Sequence, residues 1–306
     1  MLKYIVRRIL IMIPVLLGVI LLVFCLMELA PGDAVTMMLG ESPTAEDEAA
    51  LRAELGLNDP LLVRYARYVW DFVSEGSLGN SFQTSRPVLD ACLERYPATL
   101  TLAGIGTFMI VLIGLPLGIL SALKRYSIVD TACTTFALIG SSTPRFWLGL
   151  LLILFFSLRL GWFPASGFDT PAHYVLPALT TGLGICASFM RTTRSSMLDV
   201  MQQDYVRTAR AKGQTEFKVV THHMLRNALL PIITVIGADF GAMLGGAMVT
   251  ETVFSIPGLA TFIIANIKAR DNPVVLGGIV LIAITCSLLN LLVDLLYAVV
   301  DPRIRY

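Results

Sequence analysis

Long apolar runs separated by short polar segments dominate the pattern of this 306-residue chain. A helix needs about 20 mostly apolar residues to cross the hydrocarbon core of a bilayer. Runs of about that length occur at 9–27, 98–123, 131–158, 174–190, 228–250 and 273–293. Backbone polar groups must be satisfied internally in lipid, and these runs lack the alternation of barrel strands. We therefore expect an all-α membrane protein with six transmembrane helices.

The composition supports this class. Hydrophobic residues make up 56% of the chain and charged residues 15%, whereas about a quarter of a soluble domain is charged. The formal net charge of +1 provides no basic field for nucleic acid, so we expect no nucleic-acid partner. None of the five cysteines forms a CxxC pair, and none of the three histidines has a second ligand at useful spacing. The sequence therefore predicts neither a disulfide framework nor a metal site.

The N-terminus shares features with a signal peptide, because Lys3, Arg7 and Arg8 precede the first apolar run and Ala30 follows it. However, the run is longer than the apolar region of a signal peptide, and no clean A-x-A site follows it. We favour an uncleaved first span, with a cleaved signal peptide as the alternative.

Lysine and arginine are unevenly divided between the two sides of the six runs, and cytoplasmic loops are the ones rich in these residues. One side carries fourteen of them, whereas the short loops on the other side carry only Arg159, Lys268 and Arg270. The fourteen are Lys3, Arg7, Arg8, Lys124, Arg125, Arg191, Arg194, Arg207, Arg210, Lys212, Lys218, Arg226, Arg303 and Arg305. We predict a multi-pass protein of a bacterial-type cytoplasmic (inner) membrane, with both termini in the cytoplasm.

The segment from about residue 30 to residue 97 then lies outside the cytoplasm. Ser42-Pro43-Thr44, followed by three acidic residues at 46–48, is typical of a helix start. Apolar residues between Leu61 and Phe72 have the spacing of a second, amphipathic helix. This segment is either a small cap packed on the bundle or a docking surface for an external partner.

The cytoplasmic segment from about 195 to 230 also contains helix signals. The pattern predicts one helix from Met197 to Lys212, with Gly213 as its left-handed terminator. A second helix is expected to begin at Thr215. Two short helices between two spans would form a knob, on which small residues such as Ala209 and Ala211 let a partner approach closely.

Two charges interrupt the apolar runs: Arg145 in the third and Asp239 in the fifth. A charge at such a depth costs several kcal/mol unless it meets a partner or a watery cavity. Either the two form a structural ion pair between helices, or they face a translocation pathway, where Arg145 would attract a carboxylate and Asp239 an ammonium group.

Motifs at seven places, in the expected order along the chain, resemble those of binding-protein-dependent ABC importer permeases, in the branch for dipeptides, oligopeptides and nickel. The cytoplasmic knob carries DYVRTARAKG at 204–213 and RNALLP at 226–231. The others are PGD at 31–33, LGL and DPL within 55–61, SLGNS at 77–81, GWFPASG at 161–167, ETVFSIPGL at 251–259 and DPRIR at 301–305.

The resemblance implies the type I importer fold and a division of the chain into three parts. These are the first span with the extracytoplasmic helical segment (1–95), a five-span core with a coupling loop at about 195–230 (96–295), and a cytoplasmic tail (296–306). Residues implied in coupling to an ATPase are Tyr205, Arg207, Ala209, Arg210, Lys212 and Gly213.

The family's general coupling motif, Glu-Ala-Ala then Gly, is met only in part. Arg207 and Thr208 replace its Glu and first Ala, whereas Ala209 and Gly213 keep the second Ala and the Gly. Basic residues beside a membrane are also common simply as determinants of topology. The resemblance places the outer gate at Glu251, Pro257 and Gly258.

The chain lacks the G-x-x-x-x-G-K-[ST] loop that cradles nucleotide phosphates, and glycine is never followed by lysine. It also has no recognisable hydrolase constellation. We expect no catalytic residues and no cofactor in this chain, with ATP and Mg bound by partner subunits. The expected partners are a second homologous permease, two cytoplasmic ABC ATPase subunits, an extracytoplasmic solute-binding protein and membrane lipid. The alternative is an ion-coupled secondary transporter or channel, which would carry internal repeats and several buried acids.

Overall fold

The computed structural model describes residues 2–29, 34–39 and 44–300. The motif at 31–33, the start of the helix signal at Ser42-Pro43 and the tail from 301 to 306 lie outside the described residues. Within the described ranges the backbone is helical apart from turns, loops and one isolated bridge between Asn80 and Pro87.

The α-helices follow the predicted runs closely. In chain order they are α1 (Leu2–Leu29), α2 (Ala34–Leu39), α3 (Ala45–Glu54), α4 (Leu61–Glu75), α5 (Val88–Leu123), α6 (Ile128–Ser142), α7 (Arg145–Leu152), α8 (Val175–Met201), α9 (Asp204–Ala211), α10 (Glu216–Lys218), α11 (Arg226–Gly246), α12 (Met248–Val253), α13 (Leu259–Lys268) and α14 (Asn272–Val300). A 3-10 turn at Pro171–Tyr174 and π-helical segments at Ile153–Arg159 and Val219–Leu225 complete them.

Five segments are long and apolar enough to cross a membrane, and a bent pair of helices brings the number to six if it counts as one span. The pair is α6 and α7 with its π-helical extension, which meet at an angle of 104°. The expectation of one continuous helix over 131–158 is therefore wrong. Pro144 lacks an amide hydrogen and disfavours helical geometry at the residue before it, and Thr143 is accordingly extended, with ψ of 128°.

The chain divides into two compact units. The first, called the N-terminal unit, comprises the residues up to Thr99 together with Pro257–Leu288. The second, called the central unit, runs over Leu100–Ile256 and resumes at Leu289.

In the N-terminal unit, the predicted amphipathic helix is α4, and it packs on α1. The ring of Phe24 meets Tyr65 and Tyr68 edge-on, with centroids 6.0 and 5.5 Å apart. The Tyr65 hydroxyl donates a hydrogen bond to the Leu17 carbonyl at 3.2 Å. Thr44 caps α3 by accepting a hydrogen bond from the Asp47 amide, as the acidic first turn predicted.

A buried carboxylate fastens the loop after α4 to the start of α14. Asp271 is fully buried and accepts hydrogen bonds from the Ser81 hydroxyl at 2.5 Å and the Phe82 amide at 3.0 Å. A third bond comes from the Gln83 amide at 3.3 Å. Since hydrogen bonds to a charged acceptor are the stronger ones, this residue fixes the loop.

In the central unit, α6, α7 and α11 all pack on α8. Helix α5 approaches α8 through glycines: a Cβ atom at Gly118 would lie 2.6 Å from Cβ of Thr193, and one at Gly114 would lie 2.7 Å from Cδ1 of Phe189. Small residues at helix crossings allow this close backbone approach in membranes. Helix α8 is therefore the axis of this unit.

Asp271→Ala should lower the stability of the purified protein by about 2–3 kcal/mol, because it leaves buried donors without their acceptor. Asp59→Ala is the matched control, since Asp59 pairs with Arg67 at 2.5 Å on the surface, where such pairs contribute at most about 1 kcal/mol. Thermal unfolding in detergent measures both. Equal shifts for the two variants would contradict the assigned role of Asp271.

Candidate coupling surface and translocation pathway

The knob predicted between the fourth and fifth runs begins where α8 ends. The expected single helix from Met197 to Lys212 is wrong, because the helix stops at Met201 and α9 starts afresh at Asp204. Gln203 between them is extended (φ −75°, ψ 146°), and Asp204 places an acid in the first turn of α9. An acid there is favourable at the positive end of the helix dipole, which explains the new start.

Gly213 reverses the chain after α9, as predicted. Its φ is +74°, the left-handed conformation that glycine adopts without strain, and its amide donates to the Arg210 carbonyl at 2.9 Å. Thr215 is then extended, and α10 begins at Glu216.

An ion pair closes this turn. Arg210 donates to the Glu216 carboxylate from Nε at 3.1 Å and from Nη2 at 2.6 Å, a two-pronged contact between α9 and α10. The hydrogen bond with Glu216 raises the pKa of Arg210. His223 lies 2.7 Å from the side-chain oxygen of Gln214 and joins the turn to the π-helical segment that follows. Arg210 thus serves the knob's own structure.

The candidate coupling residues separate into buried and exposed groups. Ala209 is 5% exposed and packs inside the knob, as does Val206, so the expectation that Ala209 offers a small surface residue is corrected. Both lie one turn apart on the inner face of α9. The exposed residues are Tyr205, Arg207, Arg210, Lys212, Gly213 and, at 80% exposure, Phe217.

Above the knob, a second ion pair joins three helices, and sequence reasoning did not single it out. Arg194 of α8 donates to both carboxylate oxygens of Asp130 in α6, at 3.0 and 2.8 Å. Asp130 also accepts from the hydroxyl of Ser121 in α5 and from the amide of Tyr126 at 3.0 Å. Asp130 as a whole residue is 7% exposed. In the sequence, the only indication of this ion pair is a carboxylate near the start of an apolar run.

Arg145 is the first residue of α7, directly after the break in the bent pair. Its Nη1 donates to the Gly246 carbonyl at 3.4 Å, at the long end for a hydrogen bond. Gly184 and Gly246 leave room for the guanidinium: a Cβ atom on Gly246 would lie 2.7 Å from Nη1. The side chain is thus held between α8 and the end of α11.

Asp239 lies in α11 and is partly buried, with one carboxylate oxygen, Oδ2, that has no hydrogen-bond partner among the described residues. It does not pair with Arg145 in the part of the chain that the structure describes. The structure therefore does not bring the two intramembrane charges together.

Glu251 of α12 is fully buried, and its carbonyl accepts from the Ile256 amide at 2.8 Å. Pro257 and Gly258 belong to the N-terminal unit, where Gly258 precedes α13 and the Leu259 amide donates to the Thr99 hydroxyl at 2.7 Å. No group of His, Cys, Asp and Glu residues suited to a metal ion occurs among the described residues.

Comparison with known proteins identifies the chain's family. Residues 114–306 match the binding-protein-dependent transport system inner membrane component, and residues 1–103 match the N-terminal component of the same systems. The chain belongs to this family of ABC importer permeases. The family's members are transport subunits, which excludes a secondary transporter as the class of this chain.

Relatives of this permease match over their whole length. The dipeptide transport system permease protein DppB of Escherichia coli K12 is 42% identical, covering 100% of this chain and 99% of its own. The oligopeptide transport system permease protein AppB of Bacillus subtilis is 41% identical, covering 100% of both chains. The glutathione transport system permease protein GsiC of Salmonella paratyphi A is 42% identical, again with full coverage.

A solved structure confirms the fold. The inward-facing MetNI methionine ABC transporter matches with a TM-score of 0.55 and 20% identity, covering 69% of this permease and 96% of that chain. A second crystal form gives a TM-score of 0.57. The all-helical permease is thus a type I importer fold, as the sequence motifs implied.

Asp130→Ala and Arg194→Ala should each destabilise the permease by about 2–3 kcal/mol, because either change removes two charge-assisted hydrogen bonds from a mostly buried pair. The double variant should be little worse than the worse single one, since both remove the same interaction. Unfolding free energies of the two single variants and the double variant together give the interaction energy between Asp130 and Arg194. The exposed pair Asp204–Arg207, at 3.9 Å, is the control and should show almost none. If the stability losses of the two single variants simply added in the double variant, the direct pairing of Asp130 with Arg194 would be contradicted.

Gly246→Ala should lower the transport rate several-fold with little loss of stability. The new methyl group displaces only the flexible end of Arg145, so the position of the guanidinium changes rather than the packing. Gly245→Ala is the control, because nothing lies within 4 Å of a Cβ atom there. Uptake by proteoliposomes, together with melting temperatures, separates the two effects. Unaltered uptake by Gly246→Ala would show that the position of Arg145 is immaterial to transport.

Proposed function

We propose that this permease forms half of the translocation pathway of an importer for short peptides or related small solutes, and that separate ATPase subunits drive it through the knob. The observation that carries the proposal is the rigid α9–α10 turn, which continues from α8 and presents Tyr205, Arg207, Lys212 and Phe217 outward. Exposed aromatic rings and cations on the same knob suit a partner groove lined by apolar and acidic residues.

In this proposal, some of the coupling residues contact the ATPase and others maintain the structure of the turn. Tyr205, Arg207 and Lys212 contact the ATPase, whereas Ala209 and Arg210 with Gly213 hold the shape of the turn. ATP and Mg bind to the partner subunits. Movement of the knob passes to α8, and through the Arg194–Asp130 pair to α6 and α5, because these helices are fastened together at that level.

The assembly proposed contains a second homologous permease, two cytoplasmic ATPases and an extracytoplasmic solute-binding protein. The fourteen basic residues on the knob side support cytoplasmic termini and an inner-membrane location. Glu251, Pro257 and Gly258 are proposed to form the outer gate. Residues 1–95, 96–295 and 296–306 remain our proposed division of function along the chain.

The solute class follows from relatives and from Arg145. The names of DppB, AppB and GsiC state dipeptides, oligopeptides and glutathione, all of which carry amide bonds and free carboxylates. Arg145 has spare donors at the break in the third span, and a guanidinium binds a carboxylate in two-pronged fashion. Asp239 offers an unused oxygen for an ammonium group. We propose that both face the pathway.

The test is reconstitution of the permease with its ATPases, second permease and binding protein in proteoliposomes. Peptides should accumulate only with ATP and should stimulate its hydrolysis, whereas the free amino acids of the same composition should not. Gly213→Ala should uncouple the two, because a left-handed alanine costs about 1 kcal/mol and no side chain contacts it.

Gly213→Asn should be milder, since asparagine tolerates this conformation better. Gly104→Ala, at an open helical position of α5, should behave as wild type. Peptide uptake driven by an ion gradient without ATP would contradict the proposed function. Full coupling in Gly213→Ala would contradict the role of the turn.

A further inference from the structure

A small cavity in the N-terminal unit is lined mainly by polar and charged side chains. Its volume is about 120 Å³, which is room for about four water molecules at about 30 Å³ each. Helix α1 contributes Glu28, α3 contributes Arg52 and α4 contributes Arg64, while Arg270 and Asn272 come from the start of α14 and the turn before it. Three of these five residues are arginines and one is an acid, so the cavity is basic.

The three arginines differ in how their charges are compensated. Arg64 pairs with Glu28 at 2.5 Å, and Arg52 pairs with Glu48 at 3.2 Å. The Arg270 side chain forms no hydrogen bond or ion pair with any described residue, although Arg270 is only 8% exposed. Nε of Arg64 is fully enclosed, whereas the side-chain nitrogens of Arg270 keep accessible surface. The cavity is therefore lined by a guanidinium group with unused donors and an uncompensated charge.

The backbone of Arg270 is a second, independent observation. Helix α13 ends at Lys268, and Arg270 follows with φ of +57°, in the left-handed conformation. A left-handed residue just after a helix is usually glycine, because a Cβ atom makes this conformation unfavourable. An arginine at a position suited to glycine indicates that its side chain has a use, and no described residue bonds to it. A ligand supplies that use.

The cavity lies at a membrane boundary. Glu28 is the last residue but one of α1, and Asn272 is the first residue of α14. Both helices are long and apolar enough to span a bilayer, so these two ends lie at the level of the lipid headgroups. Basic pockets between spans bind such headgroups through their phosphates.

A phosphate group meets the requirements of this cavity. It carries the missing negative charge, and its several oxygens accept hydrogen bonds from a guanidinium fork in two-pronged fashion. Water would satisfy the donors of Arg270 but would leave its charge uncompensated. A peptide needs a larger site, since cavities for drug-sized molecules measure about 300–1,000 Å³. The competing occupant is a carboxylate, including one from elsewhere in this chain.

We propose that this cavity binds a phosphate group in the fork of Arg270, supplied by a phospholipid headgroup or by free phosphate. The bound group joins α1, α3 and α4 to the start of α14, and so fastens the segment after the first span to two spans. The site goes beyond the proposed function and does not depend on it, because it acts whichever solute the permease carries.

Thermal unfolding of the full-length permease in lipid-depleted detergent tests the proposal, with phosphate replacing chloride at constant ionic strength. Phosphate should raise the melting temperature of wild type, because a ligand of the folded state stabilises that state. Arg270→Gly should weaken the apparent dissociation constant of phosphate at least about tenfold, since charge-assisted hydrogen bonds are lost. Arg270→Lys keeps the charge without the fork and should weaken it less. Lys268→Gln, which removes an exposed charge from the same turn, is the matched control and should bind phosphate as wild type does.

The chloride buffer separates a ligand site from a structural arginine. Arg270→Gly should melt no lower than wild type there, because glycine suits the left-handed backbone and removes an uncompensated charge. If Arg270→Gly melts lower than wild type by the same amount in chloride and in phosphate, Arg270 is a structural residue and the proposal is overturned. Stabilisation of wild type by acetate as strong as that by phosphate would overturn it in favour of a carboxylate site.

A second arm identifies the source of the phosphate group. In nanodiscs that contain phosphatidylglycerol, a headgroup in the cavity should abolish the effect of free phosphate on wild type and should stabilise wild type more than Arg270→Gly. An effect of free phosphate that persists in these nanodiscs assigns the site to inorganic phosphate. Either result supports the phosphate site. No stabilisation of wild type by phosphate or by phosphatidylglycerol would overturn it.

Discussion

The bonding of the Asp130 carboxylate is the interaction on which the knob side of this permease depends. It accepts four hydrogen bonds from α5, the following turn and α8, and Arg194 neutralises its charge. Because Arg194 lies two turns before the end of α8, the knob cannot shift α8 without also moving α6 and α5. The pair thus fastens α5, α6 and α8 to one another.

The second constraint is the absence of water in the bilayer. A chain break in the middle of a span exposes backbone groups, and such breaks are tolerated only where they line protein or a watery cavity. The 104° bend at Pro144 is such a break, and it places Arg145 at the N-terminal end of α7. The bend and the charge therefore have a common explanation, since both belong where protein or water, rather than lipid, surrounds them.

The sequence predicts the parts of this structure that depend on local pattern. Spans follow from apolar length, α4 from its spacing, and the turn at Gly213 from the need for a left-handed residue. Pro144 indicates a kink, but the 104° angle does not follow from hydropathy, which counts side chains and does not register a missing amide hydrogen. Asp130 and Arg194 are 64 residues apart, and each alone looks like a charge beside the membrane. Ala209 was misassigned because its burial depends on packing against the π-helical segment.

The number of hydrogen bonds that a buried charged side chain makes separates side chains held in place from those that can change partner. Asp271 and Asp130 have their oxygens bonded within a single unit, so a change of partner would cost each of them several strong hydrogen bonds. Arg145 holds one carbonyl at 3.4 Å, and Asp239 keeps an unpaired buried oxygen. Groups with unused bonding capacity lose little when they exchange partners, and a transport cycle needs such exchanges at its binding site. This contrast is the physical ground on which we propose that Arg145 and Asp239 meet a zwitterionic solute.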